Sequence, residues 1–249
     1  MFGSIISHRG GSFLWPENTL LAFRNTLALP VEQAECDVHL TADGEAVVIH
    51  DAMAERTTDG RGPVAAMTAA EVARLRIRGA GECGVPTLAA VAGLFSAARM
   101  LLRVEIKADQ SGRPYPEIIP RVLSVLDAAG MLGRSLVIGF EAPGVAAAWA
   151  AGGLAGAAWL VEPATSRSLG AEGVAAVARA HGLPAVETHI AAADAAYVAA
   201  MRRAGLGCGA WGANHADTID RALALGLDAF ATDDPALALG RRAAIVQAV

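Results

Sequence analysis

Short apolar or β-branched runs recur along the chain, and Ala-rich stretches with helical spacing separate them. Eight runs read as strands: residues 5–9, 31–38, 101–107, 136–140, 156–161, 184–189, 207–211 and 229–232. Runs this short and this continuously apolar mark strands covered on both faces. Patterns such as 172–180 and 193–204 read as the helices between them, and Gly182, Gly205 and Gly226 fall where helices end and the next strand is about to begin. Strand and helix in alternation predict a parallel sheet of the α/β class, and eight such units close a (β/α)8 TIM barrel. One segment interrupts the rhythm. "EAVVIHD" (45–51) reads as an extra strand, and the residues after it read as loop and one helix until Thr87 caps the next regular helix. The expectation is one TIM-barrel domain over residues 1–249, with a small insertion after strand two at about 51–86.

Composition narrows the class. The length of 249 residues suits a barrel of about 250. A hydrophobic fraction of 54% supplies a core, and no apolar run approaches the roughly 18 residues needed to span a membrane. The residues ahead of Ser7 lack a basic n-region, so no cleavable signal is expected and the cytoplasm is the expected compartment. Three cysteines without C-x-x-C spacing point to neither a disulfide framework nor a thiolate zinc site. A net charge of -5, with basic clusters no larger than Arg202-Arg203 and Arg241-Arg242, argues against a nucleic-acid partner and for a small molecule.

In such barrels the strands' C-terminal ends build the active site. Strand one ends in His8 and Arg9, strand two carries Glu35 and Asp37, and the next barrel strand ends in Glu105 and Lys107. Side chains alternate along a strand, so Glu35 and Asp37 share a face about 6.6 Å apart while Cys36 packs on the other side. Glu105 adds a third acid. Three converging carboxylates repel one another unless a cation or protons intervene, which implies a divalent metal, with Mg2+ or Ca2+ the best match to all-oxygen ligands. His50, on the extra strand, is a second histidine, and His8 with His50 can divide general acid and general base between them. Asn18 reads as the N-cap of a first helix packed through Leu20, Leu21 and Phe23. Glu187 and His189 share a face at a strand end and are candidates for lining the pocket.

The chain resembles the glycerophosphodiester phosphodiesterase family across nearly its whole length. "HRG", "PENTLLAF", "AECDVHLTADGEAVVIHD", "RTTDG", "VPTL", "VEIK", "WGAN" and "ATDDP" occur in the order of that family's motifs. The resemblance implies a TIM barrel with a small insertion and a divalent cation held by Glu35, Asp37 and Glu105. It also implies acid–base roles for His8 and His50, phosphate contacts from Arg9 and Lys107, and a wall of the pocket at Trp211. The implied reaction is hydrolysis of a glycerophosphodiester to an alcohol and sn-glycerol 3-phosphate. The chain departs from the family at Trp211-Gly212-Ala213-Asn214, where Trp-Thr-Val-Asn is usual, and at Gly139-Phe140, where Ser-Phe is usual. Two alternatives use the same residues differently: a related phospholipase D-like phosphodiesterase acting on lysophospholipids, and a Schiff-base aldolase with Lys107 as its amine. Lys107 is the only lysine among 20 basic residues.

Overall fold

The computed structural model describes residues 3–247. Nine strands are present among them: β1 (Ser4–Ser7), β2 (Gln33–Leu40), β3 (Ala46–Val48), β4 (Leu101–Ile106), β5 (Ser135–Gly139), β6 (Gly156–Val161), β7 (Ala185–His189), β8 (Gly207–Trp211) and β9 (Ala229–Thr232). All but β3 pair in parallel in the order β1-β9-β8-β7-β6-β5-β4-β2, and the β1–β2 pairing closes the ring. This is the predicted (β/α)8 TIM barrel. β3 pairs antiparallel with the end of β2, Leu40 opposite Ala46, and so extends the barrel wall at its C-terminal mouth. The helices are α1 (Leu20–Leu27), α2 (Ala69–Val72), α3 (Leu88–Phe95), α4 (Ile118–Ala128), α5 (Ala142–Ala150), α6 (Pro163–Ala180), α7 (Ala195–Arg203), α8 (Ala216–Leu225) and α9 (Pro235–Gln247). None is long and apolar enough to cross a membrane.

Alternation along each strand sorts the side chains into two cores. Ala34, Cys36, Val38, Leu102 and Val104 join the layer between strands and helices, where Phe23 of α1 meets Phe95 of α3 edge-on at 6.0 Å. Their neighbours Glu35, Arg103 and Glu105 face the barrel interior. Small residues at Ala158, Ala185, Gly209, Ala229 and Ala231 leave room there for Arg103, which is only 2% exposed and ion-pairs with Glu187. Gly209 is part of that fit: a Cβ on it would lie 2.8 Å from Cγ of Glu187.

Local departures from the sequence reading have local causes. The first strand stops at Ser7, and His8–Gly10 forms a 3-10 turn, because Arg9, Gly10 and Gly11 take φ of 52°, 78° and 89°, which no strand accommodates. Thr19, not Asn18, caps α1: its hydroxyl accepts from the amide of Ala22 at 3.0 Å. The extra strand is shorter than expected, so His50 lies just beyond its end. α6 starts at Pro163, earlier than its apolar spacing indicates, because Gly170 at φ 65° joins two helical pieces. Residues 49–87 hold a 3-10 turn (Val64–Ala66) and α2, and Ile49, Val64, Val72, Ile77, Ala80 and Val85 form a separate apolar cluster with Val47 of β3. Thr87 caps α3 as expected, accepting from Ala90 at 3.1 Å.

Candidate active site

The C-terminal strand ends open into a cavity of about 500 Å³ lined by His8, Arg9, Glu35, His50, Glu105, Lys107 and Trp211. Asp37 lies just behind this lining, fully buried, with Oδ1 at 3.0 Å from Lys107 Nζ. One oxygen from each of Glu35, Asp37 and Glu105 falls within 4.8 Å of the others, so the structure brings the three predicted acids together. Each is anchored through one oxygen. Glu35 Oε2 accepts from the backbone amide of Arg9 at 3.0 Å, Asp37 Oδ2 accepts from the Asn18 amide at 2.8 Å, and Glu105 Oε1 accepts from Lys107 Nζ at 2.6 Å. Glu35 Oε1 has no hydrogen-bond partner among the described residues, and Asp37 Oδ1 has only its ion pair with Lys107. An orphaned buried oxygen on Glu35, beside an Asp37 oxygen held only by an ion pair, fits a hard divalent cation in an all-oxygen cluster.

The left-handed turn at Arg9 creates part of this geometry. It aims the Arg9 amide at Glu35 and brings its Nε to 3.3 Å from Asp37 Oδ2. Asn18 is the other described non-glycine residue with positive φ, at 57°, and its amide also ends on Asp37. Backbone strain is thus concentrated on the two residues that grip the acid pair. His8 Nδ1 lies 2.6 Å from Asp233 Oδ1, and its Nε2 lies 3.9 Å from Glu35 Oε2. His50 Nδ1 lies 2.6 Å from Asp51 Oδ1. Ionised carboxylates only accept, so in each pair Nδ1 carries the proton and Nε2 is left for chemistry. Trp211 stands across the cavity, edge-on to His189 at 4.7 Å and to Phe140 at 6.0 Å.

Residues 8–237 match the sequence model of the Glycerophosphoryl diester phosphodiesterase family. The chain belongs to this family. A 110-residue segment is 41% identical to the glycerophosphodiester phosphodiesterase of Caldanaerobacter subterraneus subsp. tengcongensis, covering 42% of this chain and 45% of that protein. The match therefore spans less than half of that curated relative. A crystal structure from Agrobacterium tumefaciens strain C58, of a protein whose name places it in the same family, is 34% identical with a TM-score of 0.96, covering 99% of this chain and 100% of that one. A phosphodiesterase from Oleispira antarctica, solved in complex with the product sn-glycerol-3-phosphate, shares the fold at a TM-score of 0.83 and 23% identity, over 97% of this chain and 97% of that one.

The electrostatics of this family member's cavity are uneven. Burial pushes the Glu35 carboxyl up to about 8, with the Asp37 charge adding to the effect. Burial acts on Asp37 too, but Lys107, His50 and Arg9 outweigh it and hold that carboxyl well below the usual range. Glu105 is raised by burial and Asp37, against the pull of Lys107. Burial opposes the charge on His8, but Asp233 and Glu35 outweigh it and raise the imidazole above its ordinary value. Burial lowers His50 despite the Asp37 charge, which keeps its imidazole neutral at neutral pH. Burial opposes the charge on Lys107, yet Asp37 and Glu105 raise its pKa, so the amine stays protonated. A protonated, doubly ion-paired lysine does not suit the carbonyl chemistry of an aldolase.

Several contributors are absent from the sequence reading. Asp233, just past β9, and Asp51, directly after His50, each fix a histidine, and their positions at a strand end and beside a candidate were the available signals. Glu17 takes Arg9 Nη1 at 3.2 Å, and Arg56 reaches both Glu17 and Asp51. Glu187 and His189 do line the cavity, Glu187 as the partner of buried Arg103. His39 bonds Tyr115 at 2.9 Å and the His50 carbonyl at 3.1 Å, and burial lowers it to about 4. His181 sits at the C-terminal end of α6 and His215 at the start of α8.

Proposed function

We propose that the protein hydrolyses glycerophosphodiesters to an alcohol and sn-glycerol 3-phosphate. The observation that carries this reading is the convergence of three buried acids, two carboxylate-oriented histidines and two cations on one cavity at the barrel mouth. Glu35, Asp37 and Glu105 would hold a divalent cation, Mg2+ or Ca2+, which supplies positive charge to polarise a phosphoryl oxygen. Arg9 and Lys107 balance the charge of acids and phosphodiester, so the anionic substrate enters a site near neutrality. His50, neutral and held through Nδ1 by Asp51, takes at Nε2 the proton of the attacking oxygen, either water or a glycerol hydroxyl whose cyclic phosphate a water then opens. His8, held through Nδ1 by Asp233 and raised in pKa, gives its Nε2 proton to the departing alcohol oxygen. Trp211 and Phe140 form an apolar wall for the carbon skeleton of the substrate.

The test is a coupled assay for sn-glycerol 3-phosphate on glycerophosphocholine, glycerophosphoethanolamine, glycerophosphoglycerol and glycerophosphoinositol, with Mg2+, Ca2+ or chelator. Product from at least one diester, abolished by chelator and restored by metal, is expected. No product from any of them with either metal overturns the reading. His8→Ala and His50→Ala should each lower kcat by about 10²-fold or more with metal affinity nearly unchanged.

A further inference from the structure

Arg56 lies outside the cavity lining, yet it touches both carboxylates that hold the proposed chemical groups from behind. Its Nη1 and Nη2 donate to Glu17 Oε2 and Oε1 at 2.9 and 2.7 Å. Its Nε and Nη2 donate to Asp51 Oδ2 and Oδ1 at 2.5 and 3.1 Å. Glu17 Oε1 in turn holds Arg9 Nη1, and Asp51 Oδ1 holds His50 Nδ1. We propose that Arg56 is a positioning residue which locks Arg9 and His50 into one arrangement by clamping Glu17 and Asp51 together. The inference rests on the proposed hydrolase reading for its effect on rate, while the clamp itself is a matter of geometry.

Three features favour this role over an incidental surface ion pair. First, the bonds form two forks: both oxygens of each carboxylate are engaged, which fixes the plane of each acid as well as its position. A carboxylate held by one oxygen can turn about its own axis and carry the imidazole with it. Second, the Arg56 side chain is 46% exposed while Glu17 and Asp51 are 17% and 28% exposed, so the guanidinium closes over the acids from the solvent side, outside the packed core. Third, the backbone on each side is pinned. Ala54 and Thr58 are fully buried, Thr58 Oγ1 donates to the Ala54 carbonyl at 2.7 Å, and the Arg78 amide donates to the Thr57 carbonyl at 2.8 Å. The segment after β3, with its separate apolar cluster, thus delivers one guanidinium to the mouth of the barrel. Lysine cannot reproduce the clamp, since a single ammonium lacks the planar pair of forks.

The experiment compares the full chain with Arg56→Gln, Arg56→Lys, Asp51→Asn and the double variant Arg56→Gln/Asp51→Asn. Steady-state kinetics at saturating metal are read beside melting curves and the imidazole 15N shifts of His50. Expected for Arg56→Gln are a kcat lower by at least about tenfold, KM within about threefold and a melting temperature within a few degrees of the parent. Arg56→Lys should recover only part of the rate. The double variant should fall below Asp51→Asn by less than the full factor lost in Arg56→Gln, because the two changes share the His50 arm and only the Glu17 arm is lost anew. The 15N shifts should show His50 protonated at Nδ1 in the parent and a mixture of tautomers in Arg56→Gln. Wild-type kcat in Arg56→Gln, fully multiplicative losses in the double variant, or an unchanged tautomer overturns the proposal. The shifts need no substrate, so they test the clamp even where the hydrolase reading fails. If Arg56→Gln does not fold, Arg56→Lys carries the same comparisons, and a parent-like rate and tautomer there count against the clamp.

Discussion

Glu35 and Asp37 are two residues apart on one strand face, yet their surroundings drive them in opposite directions. Glu35 gains mainly burial and a negative neighbour, and its carboxyl rises to about 8. Asp37 gains Lys107, Arg9 and the Asn18 amide, and stays ionised far into acid. In the metal-free protein the stability linked to Glu35 is present below the ordinary carboxylate range and is lost as pH rises through about 8. That linked to Asp37 is present above the ordinary range and is lost only in strong acid. Glu35→Gln should therefore melt higher than the parent at pH 8–9 in chelator, a difference that vanishes near pH 4. Asp37→Asn should melt lower throughout neutral pH, by about 1–3 kcal/mol, because it leaves buried donors without their acceptor charge. Parallel shifts in the two variants would contradict the division. Lys107 belongs to the same balance. Its slim ammonium lies between Glu105 and Asp37, at 2.6 and 3.0 Å, where a broad guanidinium would crowd the acids. Lys107→Arg should keep the fold and lose at least about tenfold in kcat/KM, roughly 1.4 kcal/mol, as measured by steady-state kinetics.

At the level of elements, apolar runs revealed the barrel strands because a sheet covered on both faces demands them. The acids were legible for a related reason: Glu35, Asp37 and Glu105 interrupt those runs with charge on the face that points inward. Strand ends were less legible. The turn at Arg9 depends on positive φ that residue type alone does not announce, and Asn18, read as the cap of α1, is claimed by the buried Asp37 while Thr19 caps the helix. Partners distant in sequence were not legible at all. His8 and Asp233 are separated by 225 positions, and only closure of the ring through β1 and β9 brings them together. Arg103 reads as one more residue of a buried strand, and only the small side chains on β6 to β9 reveal the space it fills. Its removal tests that packing. Arg103→Met leaves Glu187 buried without its partner and should cost about 3–5 kcal/mol, read from chemical denaturation. Adding Glu187→Gln should recover part of the loss by removing the stranded charge; an equal or larger loss in the double variant would show that shape, not charge, governs the barrel floor.

For the whole molecule, the barrel supplies rigidity and the mouth carries the unfavourable charge. The ring strands turn apolar or small residues toward the helices, while β2 and β4 place three acids within 4.8 Å of one another. Arg9, Lys107 and His8 offset part of that repulsion, and one oxygen of Glu35 remains without a partner among the described residues. A divalent cation that binds there in the folded chain and not in the unfolded one must raise stability by mass action, by about 2.7 kcal/mol at a concentration 100 times its Kd. For a chain of this size each kcal/mol moves the melting temperature by about 2–4 °C, so a rise of roughly 5–10 °C is expected on adding Mg2+ or Ca2+ to chelated protein. The rise should be lost in Glu35→Gln, Asp37→Asn and Glu105→Gln and kept in His50→Ala, since His50 stands beside the cluster without contributing an oxygen. Thermal melts of these five proteins with and without metal decide it. A rise that survives in the three acid variants would place the cation elsewhere, and no rise in the parent with either metal would mean that Lys107 and Arg9 alone balance the acids.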